Sequence, residues 1–215
     1  MSLDLADLLR RAKAFVFDFD GTLVHSEEIK SQAFKLCFAD YPDRLDNIMA
    51  YCRGHNHNMR CEKFHYICQE ILRLDYTADV AAMLQDRFAS ATTRQIIEAP
   101  EVRGASGFLA LSVSYRMNAL LSGTPHEALI HILVERGWRK YFNEIRGAPV
   151  DKGRWLLAFR ERYGLAESET VFFGDTIEDA EAAKNAGCAF IAVGEKALAR
   201  KVQYFIKDFQ RVLKT

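Results

Sequence analysis

The sequence has no excess of charge of either sign: Lys and Arg number 29, Asp and Glu number 29, and the formal net charge is zero. A balanced chain carries no global field to draw in nucleic acid or an anionic membrane, so recognition of charge must be local. There is no apolar run approaching the length of a membrane span. The N-terminus, with Asp4, Asp7, Arg10, Arg11 and Lys13 ahead of its first apolar run, lacks the hydrophobic stretch of a secretory signal. Internal repeats, low-complexity tracts and long linkers are also absent. The cysteines, Cys37, Cys52, Cys61, Cys68 and Cys188, are odd in number and fall in expected helices or beside a strand, which argues against a disulfide framework. These absences lead to the expectation of a cytoplasmic protein with reduced thiols, no nucleic-acid partner and no membrane partner.

What is present is a chain of 215 residues, 49% hydrophobic, long enough for one sizeable core and a smaller module. Residues 14–19, AFVFDF, read as a buried strand ending at the turn-forming Asp20-Gly21. The pattern repeats in MNALLS (117–122), NEIRG (143–147), TVFFG (170–174) and AFIAVG (189–194). Helical stretches lie between these runs, at His126 to Glu135, Gly153 to Tyr163 and Asp179 to Ala186, so an α/β core with a parallel sheet covered on both faces is expected. Residues 25–95 carry helical patterning alone, with Ala33-Phe34, Leu36-Cys37, Phe64, Ile67-Cys68, Ile71-Leu72 and Met83-Leu84 at spacings of three to four. An all-helical insert leaving after the first strand would sit above the strands' carboxyl ends, where open α/β sheets bind ligands, and so act as a lid.

The sharpest local feature is Asp18-Phe19-Asp20-Gly21-Thr22-Leu23 at the end of the first strand. Strand alternation sends Asp18 and Asp20 to one side, and two carboxylates there repel unless a cation compensates. Mg²⁺ suits that role, since it prefers oxygen ligands and is commonly held by one or two carboxylates plus a substrate phosphate. Gly174-Asp175-Thr176-Ile177-Glu178-Asp179 follows another apolar strand, and in a parallel sheet both strand ends open on one crevice. Asp175 is therefore a candidate to complete the metal site. Asp179, near a helix start, is placed either to order metal-bound water or to cap the helix. Ser122-Gly123-Thr124-Pro125 ends the MNALLS strand and offers a hydroxyl and free amides to phosphate oxygens. Lys152, in the loop before a helix, is placed to neutralise charge. Together these make the inventory for phosphoryl transfer through a carboxylate.

The chain resembles the haloacid dehalogenase superfamily, in the phosphoglycolate phosphatase and β-phosphoglucomutase-like subgroup with a helical cap after strand one. The four motifs stand in order as DFDGT, Ser122 in LLSGTP, Lys152, and GDTIED, across essentially the whole chain. The resemblance implies a Rossmann-like α/β core in residues 1–24 and 96–215 with an all-helical cap domain in 25–95. It implies that Asp18 attacks phosphorus and that Asp20 protonates the leaving oxygen, then activates water. Asp18, the backbone carbonyl of Asp20 and Asp175 would ligate Mg²⁺, with Asp179 ordering the metal's waters. Ser122, Lys152 and the amides around Gly21 and Gly123 would hold the phosphoryl oxygens. The substrate class implied is a small-molecule phosphate ester. Asp20 argues against dehalogenation, which has no leaving alcohol to protonate, and Thr22, where the related sugar phosphomutases usually carry Val, leans towards hydrolysis. Phosphomutase and non-catalytic binding protein are the alternatives. The third motif lacks its usual flanking prolines, which leaves Arg146 and Arg154 as neighbours of Lys152 for the same role.

The insert's polar segment, Cys52 to Phe64, supplies Arg60, His55, His57 and Lys63 as candidates to select the leaving group, with Asn58 as a helix N-cap. Cys52, His55, His57, Cys61, His65 and Cys68 also suggest soft-metal ligands, but their spacing matches no paired Cys-x-x-Cys zinc pattern. His25 reads as a hinge, and Phe15, Phe17, Phe172 and Phe173 as core. Singly, Asp20-Gly21 and Gly174-Asp175 are ordinary turn signals and Asp179 an ordinary capping acid. Jointly, acids at two strand ends, a Ser-Gly turn at a third and a lysine between have no shared structural explanation.

Overall fold

A computed structural model of the chain describes residues 5–55, 58–194, 198 and 200–213. In chain order the elements begin with α1 (Leu5–Arg11), β1 (Ala14–Phe17), α2 (Glu27–Cys37), α3 (Leu45–Gly54), α4 (Arg60–Tyr66), a π-helical turn (Ile67–Leu72) and α5 (Ala78–Glu98). They continue with α6 (Ala105–Ser112), β2 (Met117–Pro125), α7 (His126–Glu135), β3 (Glu144–Ala148), α8 (Lys152–Tyr163), β4 (Thr170–Gly174), α9 (Ile177–Asn185), β5 (Ala189–Val193) and β6 (Tyr204–Ile206).

The six strands pair in parallel in the order β3-β2-β1-β4-β5-β6. β1 lies at the centre because every residue of Ala-Phe-Val-Phe is buried, as a strand covered on both faces requires. One face of the sheet presents Phe15, Phe17 and Phe173 to Phe108 of α6 and to Phe209, with Phe17 and Phe173 stacked at 5.0 Å between ring centres. The other presents Ala14, Val16 and Phe172 to Leu156 and Phe159 of α8 and Ala182, Ala183 and Ala186 on and after α9. The four phenylalanines expected in the core are there.

Several boundaries differ from expectation. The first strand ends at Phe17 rather than residue 19, because the chain turns back on itself: Leu23 and Val24 both donate to the Phe19 carbonyl, and Gly21 N–H donates to Val24 O at 2.8 Å. β6 was not expected; it is a three-residue edge strand in a Lys-rich setting, too short to show a period. The helix after the polar segment is capped by Met59, not Asn58. Met59 is extended (φ −59°, ψ 147°), and its N–H donates to Glu62 Oε2 at 2.9 Å, so the glutamate three residues on does the capping from inside the helix.

The chain forms two compact units, Met1–His25 with Ala99–Thr215, and Ser26–Glu98. At the end of the first segment Val24 bridges Glu101 in antiparallel fashion, His25 N–H donates to Pro100 O at 3.1 Å, and Val102 N–H donates to Leu23 O at 2.9 Å. The outgoing and returning segments thus run side by side. The helical unit has its own core: Phe34, Phe38, Ile48, Phe64, Ile67, Cys68, Leu84 and Phe88 are buried together. Phe64 is central, with its ring 5.5 Å from Phe34, 6.0 Å from Phe38 and 6.1 Å from Phe88. No helix among the described residues is long and apolar enough to cross a membrane.

Truncating Phe64 to Ala removes the ring all three neighbours share and is expected to cost about 3–5 kcal/mol, the usual range for a buried Phe. Urea unfolding followed by circular dichroism measures it, and a change below about 1 kcal/mol would mean that the helical unit does not depend on this cluster.

Candidate active site

Register brings the acids together. Phe17 of β1 pairs with Phe173 of β4, and Asp18 N–H donates to Phe173 O at 2.8 Å, so Asp18 leaves its strand beside Gly174-Asp175 leaving theirs. The strand order reverses here, with β2 and β3 on one side and β5 and β6 on the other. This is the switch point at which open α/β sheets form their crevice.

Lys152 joins the two halves. Its Nζ donates to Asp18 Oδ1 at 2.9 Å and to Asp179 Oδ1 at 2.7 Å. Lys152 is the first residue of α8 rather than a residue of the preceding loop, because Asp151 caps the helix by accepting from Arg154 N–H at 3.0 Å. An ammonium at a helix N-terminus opposes the helix dipole. Burial also works against the charge, but the Asp18 and Asp179 carboxylates outweigh both and hold the Lys152 pKa above that of an ordinary lysine. Arg154, expected as a neighbouring candidate, instead pairs with Asp151 at the surface, and Arg146 is exposed on β3.

Asp179 is fully buried in the first turn of α9. A reciprocal cap fixes it: Thr176 Oγ1 accepts from Asp179 N–H at 3.1 Å, while Asp179 Oδ2 accepts from the Thr176 hydroxyl at 2.6 Å and from its N–H at 3.3 Å. Capping and pairing with Lys152 are therefore simultaneous roles. Gly174 makes room, since a Cβ there would stand 2.6 Å from Asp179 Cβ. Asp175 accepts from Thr22 Oγ1 at 3.1 Å. Asp20 is held from β2, where Thr124 Oγ1 donates to its Oδ2 at 2.8 Å and Ser122 Oγ lies at 3.4 Å. Thr22, Thr124 and Thr176 were not foreseen as site residues. Thr176 had a local signal, Thr-x-x-Asp before a helix, and Thr124 stands two residues beyond Ser122 on a strand.

The electrostatics are unbalanced towards negative charge. Burial pushes the Asp18 carboxyl up to about 7, the charges of Asp179 and Asp20 add to the rise, and Lys152 offsets only part of it. Asp18, Asp175 and Asp179 offer carboxylate oxygens that all lie within 4.8 Å of one another. Hard oxygen donors in an under-compensated pocket fit a divalent cation such as Mg²⁺.

The Gly21 N–H is committed to Val24 O, so this amide serves the turn. Gly123 is exposed between the two buried hydroxyl residues Ser122 and Thr124. In the helical unit Lys63 is buried with its ammonium 5.5 Å from the centre of the Phe34 ring, and burial lowers its pKa. Arg60 lies over Phe88 at 4.6 Å, and the His55 ring stacks on Tyr51 at 4.3 Å. His57 lies outside the described residues. Among the described residues, Asp18, Asp175 and Asp179 are the one group of three or more metal-ligating side chains gathered in this way. Cys52 and Cys68 are buried while Cys61 and His65 are exposed, and among the described residues these groups do not gather as soft-metal ligands.

A family model for haloacid dehalogenase-like hydrolases matches residues 12–187, and the chain belongs to that family. A protein of Haemophilus somnus provisionally named a phosphoglycolate phosphatase superposes with a TM-score of 0.73 at 20% identity, over 95% of this chain and 97% of that one. A Thermotoga maritima protein with a provisional β-phosphoglucomutase name gives 0.69 at 22% identity, over 94% and 98%. The magnesium-bound hydrolase YfnB of Bacillus subtilis gives 0.70 at 16% identity, over 95% and 98%. These likenesses show a common fold. No functionally curated protein matches the sequence.

The raised Asp18 pKa has a consequence for stability. Its folded value, about 7, exceeds the ordinary 3.8, so proton binding favours the folded state. That contribution is full below about pH 4 and is lost as pH rises through 7. In EDTA, Asp18→Asn is therefore expected to melt above the wild type at pH 8, with the gap closing towards pH 4. Parallel melting curves across that range would show that Asp18 is not carrying an uncompensated charge.

Proposed function

We propose that this hydrolase is a Mg²⁺-dependent phosphatase of small phosphate monoesters, with Asp18 as nucleophile. The observation that carries the reading is the buried cluster in which Lys152 bridges Asp18 and Asp179 with Asp175 alongside, while Asp20 is held separately from β2. Two acids in different surroundings suit two roles, Asp18 beside Lys152 as nucleophile and Asp20 on the β2 side as proton carrier.

Asp18, Asp175, Asp179 and the backbone carbonyl of Asp20 are the groups that would hold Mg²⁺; when bound it supplies charge compensation for these acids and for the phosphoryl oxygens. Ser122, the Gly123 amide and Lys152 hold and neutralise the phosphoryl group. Asp18 forms a bond to phosphorus as the ester P–O bond breaks, and Asp20 gives its proton to the leaving oxygen. Asp20 then takes a proton from water as that water attacks the aspartyl phosphate, releasing phosphate and Asp18. Lys152, fixed by two carboxylates before substrate arrives, needs little reorganisation to meet the incoming charge. The helical unit, with His55, His57 and Arg60, is assigned the choice among esters; Lys63, buried beside Phe34, is not.

Incubation with Mg²⁺ and a panel of sugar phosphates, nucleotides and phosphoglycolate is expected to release free phosphate, and EDTA to abolish the release. Isomerised sugar phosphate without phosphate release would instead make the chain a mutase. Asp18→Asn should fall to background, and Asp20→Asn should lose about 10²- to 10⁴-fold, the scale of acid–base catalysis. Near-wild-type turnover in both variants is incompatible with the assignment. Arg60→Ala is expected to alter KM or the order of preference within the panel, and an unchanged profile would remove that residue from substrate choice.

A further inference from the structure

Asp20 is tied across to β2 by two hydroxyls that are unequal. Thr124 Oγ1 donates to its Oδ2 at 2.8 Å, whereas Ser122 Oγ stands at 3.4 Å. Residues two apart on a strand face the same way, which is why both reach one carboxylate. Ser122 Oγ also accepts from the backbone N–H of Thr124 at 3.0 Å, so the Ser122 side chain is held against the Thr124 main chain.

The adjoining strand builds the seat for Thr124. Pairing between β2 and β3 shifts register between Leu121 and Pro125, and Gly147 of β3 lies where the shifted segment presses in. A Cβ on Gly147 would stand 2.5 Å from both Thr124 O and His126 Cα. Gly147 N–H donates to His126 Nδ1 at 3.2 Å, fastening the segment from its far side. Thr124 is thus held by backbone contacts on one side and by Asp20 on the other, and it is 7% exposed.

A serine hydroxyl has a single proton to donate. Once Ser122 turns that proton to a phosphoryl oxygen, it no longer restrains Asp20. We infer that Thr124 is a positioning residue whose hydroxyl keeps the Asp20 carboxyl aimed at the leaving oxygen while Ser122 is occupied with the phosphoryl group. The inference rests on the phosphatase reading. Thr124 keeps its own proton throughout: it donates to Asp20 Oδ2 both when Asp20 is ionised and when the acid proton sits on Oδ1, so one contact serves both halves of the reaction. In the first half the proton that moves is Asp20's, and it goes to the departing ester oxygen.

The test compares Thr124→Val, which removes the hydroxyl at nearly constant shape, with Thr124→Ser, which keeps it. Two esters are used: the best alkyl monoester of the panel, whose leaving alkoxide needs a proton, and p-nitrophenyl phosphate, whose leaving group departs without one. In Thr124→Val, kcat/KM for the alkyl ester is expected to fall about 10- to 100-fold, as for a misaligned catalytic group, and that for p-nitrophenyl phosphate by less than about threefold. Thr124→Ser is expected to stay within about threefold of wild type on both. The rise in Tm on adding Mg²⁺ should persist in Thr124→Val, showing that the carboxylate cluster is intact. Equal losses on the two esters, a loss carried by KM alone, failure of serine to rescue, a lost Mg²⁺ response, or a Thr124→Val enzyme as fast as wild type on the alkyl ester would each overturn the assignment. If wild-type enzyme frees phosphate from no ester, the phosphatase reading falls and this inference with it. An active wild type beside an unaffected Thr124→Val sinks the inference alone.

Discussion

Lys152 stands between Asp18 and Asp179, and through its ammonium the end of β1, the start of α8 and the start of α9 are drawn to one point. The arrangement is expensive. It takes carboxylates out of water, sets them close enough to repel, and places the compensating cation at the unfavourable end of a helix. Buried ionic clusters are poor stabilisers compared with apolar packing of the same volume. A cluster kept despite that cost is better understood through chemistry than through folding. The surrounding sheet absorbs the cost, with aromatic packing on one face and the α8 and α9 contacts on the other.

Small residues do much of the work of supporting the acids. Threonines at 22, 124 and 176 each hold one aspartate, at 175, 20 and 179 respectively. Each threonine comes from a segment that the fold has already fixed, so the carboxylates are oriented before any ligand is present. Preorganisation of this kind lowers the reorganisation required at the moment of reaction. The absence of a side chain matters equally at Gly174 and Gly147, where neighbouring backbone or an acid occupies the space a Cβ would need.

The acids were legible in the sequence because their signal is local: a short apolar run, then Asp-x-Asp-Gly or Gly-Asp, is visible without knowing the fold. The alternation of strands and helices was legible for the same reason, down to the bounds of β4. The threonine contacts were not, since Thr22 meets Asp175 across 153 positions and Thr124 meets Asp20 across 104, and only the sheet order makes them neighbours. Lys152 stood beside Arg146 and Arg154 as a plausible cation; Lys152 is the one paired with Asp18 and Asp179, while Arg154 pairs with Asp151 at the surface. Lys63 was read as a polar group available to a ligand, but its long stem packs into the helical core beside Phe34, which periodicity alone does not reveal.

The antiparallel link at Val24 and Glu101 bears on how such a chain can change. Because departure and return are adjacent, the insert is attached to the sheet-bearing unit at two neighbouring points of the backbone. A different insert would need only to bridge that short gap. Closing it with a tight turn should leave the sheet's register undisturbed. Diversification of the inserted module is therefore topologically cheap, whereas the segment from Asp18 to Val24 is buried at every residue but Asp20.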